Sequence, residues 1–221
     1  MNLSLTKFSH SCVLLEQPER AILFDPGDFS WSEGLIKNKL DSLGRLDYLI
    51  LTHVHPDHCF SDAIKHIKLK FPDAKIITTN EAKQELSLKG IEASDESDNP
   101  EIIITKTDHA HLNKLVPIFE NIQVEIKGIL THMGDSMNLD KLNTPVLCLP
   151  FFGPWERGTF TDAMSLSLKL KPKFIIPIHD YHYKPEFRDA FYERAQGVAD
   201  SFGGHLVCQQ DGEPNINLSL N

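Results

Sequence analysis

The chain has 221 residues, of which 41% are apolar and 24% are charged, values typical of a globular protein with room for a substantial core. All of its apolar runs are shorter than the roughly 20 residues that a membrane-spanning helix needs. The formal net charge of −9 argues against sequence-independent binding of nucleic acid, which requires a positive surface.

These values predict a single domain over residues 1–221 and leave homo-oligomer formation open. The first residues do not show a basic segment followed by an apolar stretch, so we expect no secretory signal and a cytoplasmic location. The 4 cysteines lie far apart and form no C-x-x-C pair, which fits apolar packing in a reducing compartment.

Short apolar runs between turn residues predict strands, and apolar residues spaced three and four apart predict helices. The predicted strands are 2–8, 12–16, 20–25, 46–51, 74–79, 101–107, two within 115–133 that separate near Gly128, 145–150, 173–178 and 205–209. The predicted helices are 32–40, 59–71, 80–89, 160–170 and 186–202. A strand-rich beginning followed by alternating strands and helices predicts a mixed α/β fold with layered sheets covered by helices.

The densest group of metal-capable side chains lies in the turn between a predicted buried strand and an amphipathic helix, and it consists of His53, His55, Asp57 and His58. Imidazole nitrogens and carboxylate oxygens are ligands for zinc and similar ions. So many ligands in so short a loop indicate two ions rather than one. Side chains two apart in an extended segment point the same way, so the first two histidines suit one ion and the other pair suits a second. Alternatively, Asp57 is only the N-cap of the next helix.

A two-metal site needs further ligands, and polar residues at the ends of later strands supply candidates. His109, Asp135 and His179 each follow an apolar predicted strand. His111 and His132 lie close to these positions in the sequence, and either one is an alternative to His109. We prefer His109 because it directly follows its predicted strand.

The run His53-Val54-His55-Pro56-Asp57-His58 is the H-x-H-x-D-H signature of the metallo-β-lactamase superfamily, which this chain resembles from about His10 to His182. The segment Phe24-Asp25-Pro26-Gly27 and the later His, Gly-Asp-Ser and His follow in the order expected for that family. Within the superfamily, the chain looks most similar to the compact L-ascorbate-6-phosphate lactonase-like metal-dependent hydrolases. The resemblance implies a mixed α/β (α+β) fold, the four-layer αββα metallo-β-lactamase sandwich, with the metals at one edge.

The resemblance also implies the ligand set. It assigns one ion to His53, His55 and His109, the other to Asp57, His58 and His179, and a bridging position to Asp135. Asp57 would orient the nucleophile as well as bind metal, Asp25 would support the site from behind, and His182 would contact substrate. The expected cofactors are two divalent ions, Zn2+ in the first instance, with Mn2+ or iron left open.

The function implied is a hydrolase in which two metal ions activate hydroxide to attack a small ester, lactone or phosphoester. The alternatives are a nuclease of the same fold, a metal-binding or di-iron redox protein without hydrolysis, and a degenerate member without catalysis. The role of His10 stays open between packing and a place beside the site. Three aromatic residues of one loop fit either the lining of a substrate cleft or packing at the edge of the sandwich: Phe151, Phe152 and Trp155.

Overall fold

A computed structural model of the chain describes residues 2–111, 117–156, 159–207 and 216–219. The chain divides into two compact units, made of the described residues of Met1–Ser97 with Gln209–Asn221 and of Asp98–Cys208. Each unit contains one six-stranded sheet. The prediction of one domain over residues 1–221 stays a prediction. None of the helices in the described part of the chain has the length and apolar character needed to cross a bilayer.

The first unit combines a mixed sheet with four helices. Its strands are β1 (Asn2–Lys7), β2 (Val13–Glu16), β3 (Ala21–Phe24), β4 (Tyr48–Ile50), β5 (Lys75–Ile77) and β12 (Ile216–Ser219), in the order β12-β1-β2-β3-β4-β5. Its helices are α1 (Asp28–Ser32), α2 (Leu35–Ser42), α3 (Ser61–Lys70) and α4 (Asn80–Leu88). Strands β3, β4 and β5 run parallel, whereas β12, β1, β2 and β3 pair antiparallel.

Helices α2, α3 and α4 bury their apolar faces against one face of this sheet. The cluster that they share includes Leu14, Leu23, Leu49, Ile36, Leu40, Ile64, Ile67 and Leu86. Helix α4 begins where the Thr79 side chain accepts a hydrogen bond from the N–H of Ala82. Helix α3 begins after Phe60 without a side-chain cap, so Asp57 is not its N-cap and the alternative explanation for that residue is wrong.

The second unit also carries a mixed sheet, with two helices. Its elements are β6 (Ile102–Asp108), β7 (Glu120–Ile126), β8 (Leu130–His132), β9 (Val146–Pro150), α5 (Phe160–Leu170), β10 (Phe174–Ile178), α6 (Pro185–Asp200) and β11 (His205–Leu206). The order is β11-β10-β9-β8-β7-β6, parallel from β11 to β8 and antiparallel from β8 to β6. Helices α5 and α6 pack on β9 and β10 through Ala163, Leu166, Ala195, Ala199, Leu149 and Ile175.

The predicted elements agree with the structure to within a few residues, with α5 matched at both ends. A capping box between Thr159 and Asp162 explains that sharp start. The predicted helix 32–40 is instead two helices, α1 and α2, separated by Gly34 in a left-handed conformation (φ 77°). The prediction missed strand β12. The predicted strand residues 115–116 and 208–209, and the cysteine at position 208, lie outside the described residues.

Candidate metal centre

The first cluster of polar side chains lies where two neighbouring parallel strands end. Asp25 directly follows β3, and Thr52 and His53 follow β4. The carboxyl ends of parallel strands meet at one edge of a sheet, which is where loop residues carry chemistry in α/β folds. The Asp25 N–H donates to the carbonyl of Ile50 (2.9 Å), which fixes the two strand ends side by side.

A tight turn gathers the histidines that follow β4. The N–H groups of His58 and Cys59 both donate to the carbonyl of His55, at 3.0 and 2.7 Å. The ring of His53 consequently lies 4.8 Å from that of His55 and 4.0 Å from that of His58, measured between centroids. The predicted grouping of these three histidines is therefore present within the first unit.

Asp25 is a fully buried carboxylate that orients this turn. One oxygen accepts the Thr52 N–H (2.7 Å), and the other accepts the Thr52 hydroxyl (2.7 Å) and lies 2.8 Å from Nδ1 of His58. A carboxylate can only accept, so Nδ1 of His58 carries the hydrogen and Nε2 keeps its lone pair. Asp25 thus supports a ligating form of His58 from behind.

Replacing Asp25 with Asn is expected to weaken metal binding by about 10–100-fold, the usual cost of losing an outer hydrogen-bond partner. The NH2 group of the asparagine can take the place of either carboxylate oxygen. In one orientation it would face the Thr52 N–H, and in the other it would donate to Nδ1 of His58 and move the ring proton to Nε2. Titration with Zn2+ in competition with a chelator measures the effect. As a control, Asp47→Asn alters a carboxylate that accepts the Ala21 N–H before β4 begins, and it should leave metal affinity unchanged.

The side chain of His10 is hydrogen-bonded to that of Asp57. Its Nε2 lies 3.0 Å from Oδ2 of Asp57, and the ring is 1% exposed. Since the carboxylate accepts, His10 donates from Nε2 and fixes the carboxylate, whose same oxygen lies 3.8 Å from Nε2 of His58. His10, Asp57 and His58 offer ligand atoms within 4.8 Å of one another. Of the two roles left open for His10, the place beside the site is the one present.

Gly27 is required by the close approach of two loops in the first unit. A Cβ atom at this position would lie 1.8 Å from the carbonyl oxygen of Asp57. The N–H of Asp28 donates to the carbonyl of Pro56 across the same contact (3.0 Å). The glycine of the Asp-Pro-Gly segment therefore sets the position of the Asp57 backbone, and any side chain there would displace it.

The second cluster is built by strand ends of the second unit. His109 follows β6, Asp135 follows β8 and His179 follows β10, and these strands point in the same direction within the sheet. Nε2 of His109 lies 3.3 Å and Nε2 of His179 lies 3.2 Å from Oδ2 of Asp135. All three side chains are at most 5% exposed. The predicted later ligands are therefore brought together.

The donor atoms of this cluster fit a divalent cation. Nδ1 of His109 lies 2.6 Å from the carbonyl oxygen of Ala110, and Nδ1 of His179 is hydrogen-bonded to the carbonyl of Phe152. A carbonyl only accepts, so each ring carries its hydrogen on Nδ1 and presents the Nε2 lone pair to the Asp135 carboxylate. Electron-rich atoms so close together repel one another unless a cation or proton balances them, as a bound divalent ion does.

The alternatives to His109 do not share this geometry. Nδ1 of His132 accepts the Gly134 N–H (3.2 Å) and so belongs to the scaffold of the loop that carries Asp135. His111 lines a neighbouring cavity of about 580 Å³. His182, the predicted substrate contact, is exposed, and its ring centroid lies 6.0 Å from that of His179.

Trp155 packs against both histidines of the second cluster, with ring centroids 5.8 Å from His109 and 4.7 Å from His179. It is 7% exposed, and a Cβ atom at Gly153 would meet its ring at 2.3 Å. Trp155 therefore fixes the imidazole planes by packing. Phe151 and Phe152, 0% and 5% exposed, are core residues rather than the lining of an open cleft.

Cys59 directly follows His58 in the sequence and carries a side chain that can bind metal. Its side chain packs against the apolar core of the first unit, and burial raises the pKa of its thiol to about 12. Its contact with these apolar side chains makes Cys59 a packing residue.

The chain is similar to known proteins over most of its length. The sequence profile of the family described as "Beta-lactamase superfamily domain" matches residues 4–179. Protein Rv0786c of Mycobacterium tuberculosis is 26% identical over 201 residues, which cover 87% of this chain and 91% of that protein. A UPF0173 metal-dependent hydrolase of Korarchaeum cryptofilum is 28% identical over 191 residues, covering 79% and 82%.

Among solved structures, Igni18, a metallo hydrolase from Ignicoccus hospitalis, superposes with a TM-score of 0.68 at 20% identity and covers 98% of both chains. This likeness extends over the elements of both units. Together with the matched family profile it confirms the predicted fold class, a mixed α/β fold, which the described residues build from two mixed sheets and six helices.

Proposed function

Because this chain belongs to the beta-lactamase superfamily domain family, we propose that it is a hydrolase that uses two divalent metal ions to cleave a small ester, lactone or phosphoester. The chain is a metal-dependent hydrolase of the metallo-β-lactamase fold. We further propose that both ions are Zn2+ and that the chain is most similar to the L-ascorbate-6-phosphate lactonase-like branch of the superfamily.

The proposal assigns the ligands as the family resemblance implies. One ion takes His53, His55 and His109, the other takes Asp57, His58 and His179, and Asp135 bridges them. It is supported by the hydrogen bonds that leave Nε2 of His58, His109 and His179 with a lone pair. Two metal ions per chain by elemental analysis is the expected stoichiometry. When bound, such ions supply an acidified water as the nucleophile and positive charge for the developing oxyanion.

The side chains around the proposed ligands hold this machinery in place. His10 donates to Asp57 and keeps the carboxylate oriented to accept a proton. Asp25 acts as a positioning residue through His58, and Trp155 keeps the second cluster dry on one side. We assign the substrate contact to His182, and its exposure beside His179 supports that assignment.

The cavity beside His109 is the observation that favours one substrate class within the proposal. It has a volume of about 580 Å³, enough for a small organic molecule. Its lining includes two carboxylates, Asp108 and Glu156, together with Ser136 and Asn138. Negative charge beside the reaction centre disfavours the binding of anionic substrate groups. It leaves neutral groups unaffected and attracts cationic groups. We therefore favour a carboxylic ester or a lactone over a phosphoester.

Hydrolysis of a matched panel tests this preference. We expect kcat/KM for neutral aryl esters and lactones to exceed that for a phosphodiester with the same leaving group by at least about tenfold, because the cavity repels the anion. The double variant Asp108→Asn/Glu156→Gln should narrow this gap. Glu101→Gln, which changes an exposed carboxylate at the opposite end of β6, serves as the matched control.

A phosphodiester cleaved faster than every ester and lactone would overturn the assigned substrate class. Cleavage of RNA among the panel would point instead to the nuclease alternative. Metal-loaded protein that hydrolyses none of the panel and reduces oxygen would favour the redox alternative.

A further inference from the structure

An asparagine at the second position of strand β7 connects the neighbouring strands to the loop that carries Asp135. Asn121 lies on β7, directly opposite Thr107 of β6 in the antiparallel register. Its side chain is 1% exposed. Burying an amide is costly unless its donors and acceptor are all satisfied, so a buried asparagine at such a position requires specific partners.

The amide of Asn121 has three hydrogen bonds, all within the second unit. Its Nδ2 donates to the hydroxyl of Thr107 (2.9 Å) and to the carbonyl of Met133 (3.0 Å). Its Oδ1 accepts the main-chain N–H of Asp135 (3.0 Å). One side chain therefore fixes the backbone on both sides of Gly134, whose φ of 56° makes the sharp turn at the end of β8.

The backbone of Asp135 is held from the other side by the loop that carries His109. The N–H of Ala110 donates to the carbonyl of Asp135 (2.7 Å), and the carbonyl of Ala110 accepts Nδ1 of His109 (2.6 Å). A continuous hydrogen-bond path thus runs from Asn121 through Asp135 and Ala110 to His109. Displacement of the Asp135 backbone would move the carboxylate and the neighbouring imidazole together.

We propose that Asn121 is a positioning residue for metal binding, which sets the Asp135 carboxylate against His109 and His179 by clamping the loop at Met133 and Asp135. This inference rests on the proposed function only in taking Asp135 as a metal ligand. Asparagine is suited to the task because it offers a donor and an acceptor from one planar group. Leucine has a similar size but supplies neither, and it would leave the Asp135 N–H and the Met133 carbonyl unsatisfied.

The same strand offers a matched control. Gln123 lies two residues further along β7, on the same side of the strand, and is 4% exposed. Its Nε2 donates to the carbonyl of Asn138 (2.8 Å), three residues beyond Asp135. Gln123→Leu therefore removes a buried amide of the same sheet, but it leaves the backbone bonds of Asp135 intact.

The test compares Asn121→Leu, Asn121→Ser and Gln123→Leu with the natural protein. Zn2+ affinity is measured by chelator competition, and the visible spectrum of the Co2+-loaded protein reports the ligand geometry. We expect Asn121→Leu to lose about 10–100-fold in affinity and to show a changed Co2+ spectrum. Asn121→Ser, which disturbs the core less, should change both in the same direction. Gln123→Leu should lower only the melting temperature of the metal-free protein.

Metal affinity and a Co2+ spectrum that are unchanged in both Asn121 variants would overturn the inference, even if the natural protein is an active hydrolase. Equal losses in the Gln123 and Asn121 variants would overturn it too, because they would indicate general destabilisation. A natural protein that binds no metal would refute the inference along with the metal centre. If the affinity losses occur but no substrate is hydrolysed, the positioning role stands and the proposed reaction fails.

Discussion

Removal of metal with EDTA is expected to abolish hydrolysis, and dialysis into Zn2+ is expected to restore it. The proposed nucleophile is water, which is too weakly acidic near neutral pH without a cation, and bound divalent ions lower its pKa to about 7. The side chains of both clusters are imidazoles and carboxylates whose hydrogen bonds fix metal-binding lone pairs. Initial rates before chelation, after it and after reconstitution measure the effect, with metal content determined on the same samples.

EDTA that has been saturated with Zn2+ beforehand is the control, because it separates metal removal from other effects of the chelator. Undiminished hydrolysis by protein with no detectable metal would contradict the proposal. Reconstitution with Mn2+ or Fe2+ in parallel shows which ion supports the highest rate, since mixed imidazole and carboxylate sites accept several. An excess of iron over zinc in the protein as purified would favour the di-iron alternative.

Most of the strands and helices could be predicted from the sequence because their apolar patterns are strong. The pattern in Phe160–Leu170 predicted α5 at both ends, since Thr159 and Asp162 form a capping box that the sequence displays. The order of strands in each sheet was not predictable. Strand β12 pairs with β1, although the two strands come from opposite ends of the sequence. Local sequence patterns carry no signal for such a pairing.

The histidine-rich turn could be predicted because its residues are adjacent in the sequence. The preference for His109 over its neighbours also followed from a simple rule: the residue directly after a strand lies at the edge where other strands end. The pairing of His10 with Asp57 joins residues 47 positions apart, and neither residue type indicates the other. Asn121 could not be singled out in this way, because polar residues at 121, 123 and 125 give the alternation expected of a strand with one solvated face, whereas Asn121 and Gln123 are buried.

Backbone conformation marks both clusters. Among the described residues, the non-glycine residues with positive φ are His10 (65°), Asp25 (44°), Lys171 (51°) and His179 (57°). A left-handed conformation costs a residue with a Cβ atom on the order of 1–2 kcal/mol, so it persists only where surrounding contacts enforce it. Three of the four belong to the proposed metal centre. The side-chain hydrogen bonds of Asp25 and His10 are contacts of this enforcing kind.

Substitution of His55 with Ala is expected to reduce kcat/KM by at least about 100-fold, because losing a ligand should cost no less than losing an outer partner. That factor corresponds to about 2.7 kcal/mol of transition-state stabilisation. The variant suits the test because the side chain is only half-buried and the turn is held by the carbonyl of His55, which Ala keeps. Steady-state kinetics and metal content, measured on the same preparation, should show that kcat/KM and the amount of bound metal fall together.

His66→Ala is the matched control for this variant. His66 lies on α3 of the same unit and is also half-buried, but its ring packs on Trp31 (5.2 Å between centroids) and approaches Asp41 (3.6 Å). Its loss should lower stability slightly while kcat/KM and metal content stay unchanged. Equal losses of activity in the two variants would show that the effect comes from the packing of the unit. A kcat/KM for His55→Ala equal to that of the natural protein would show that His55 is not a ligand of the metal centre.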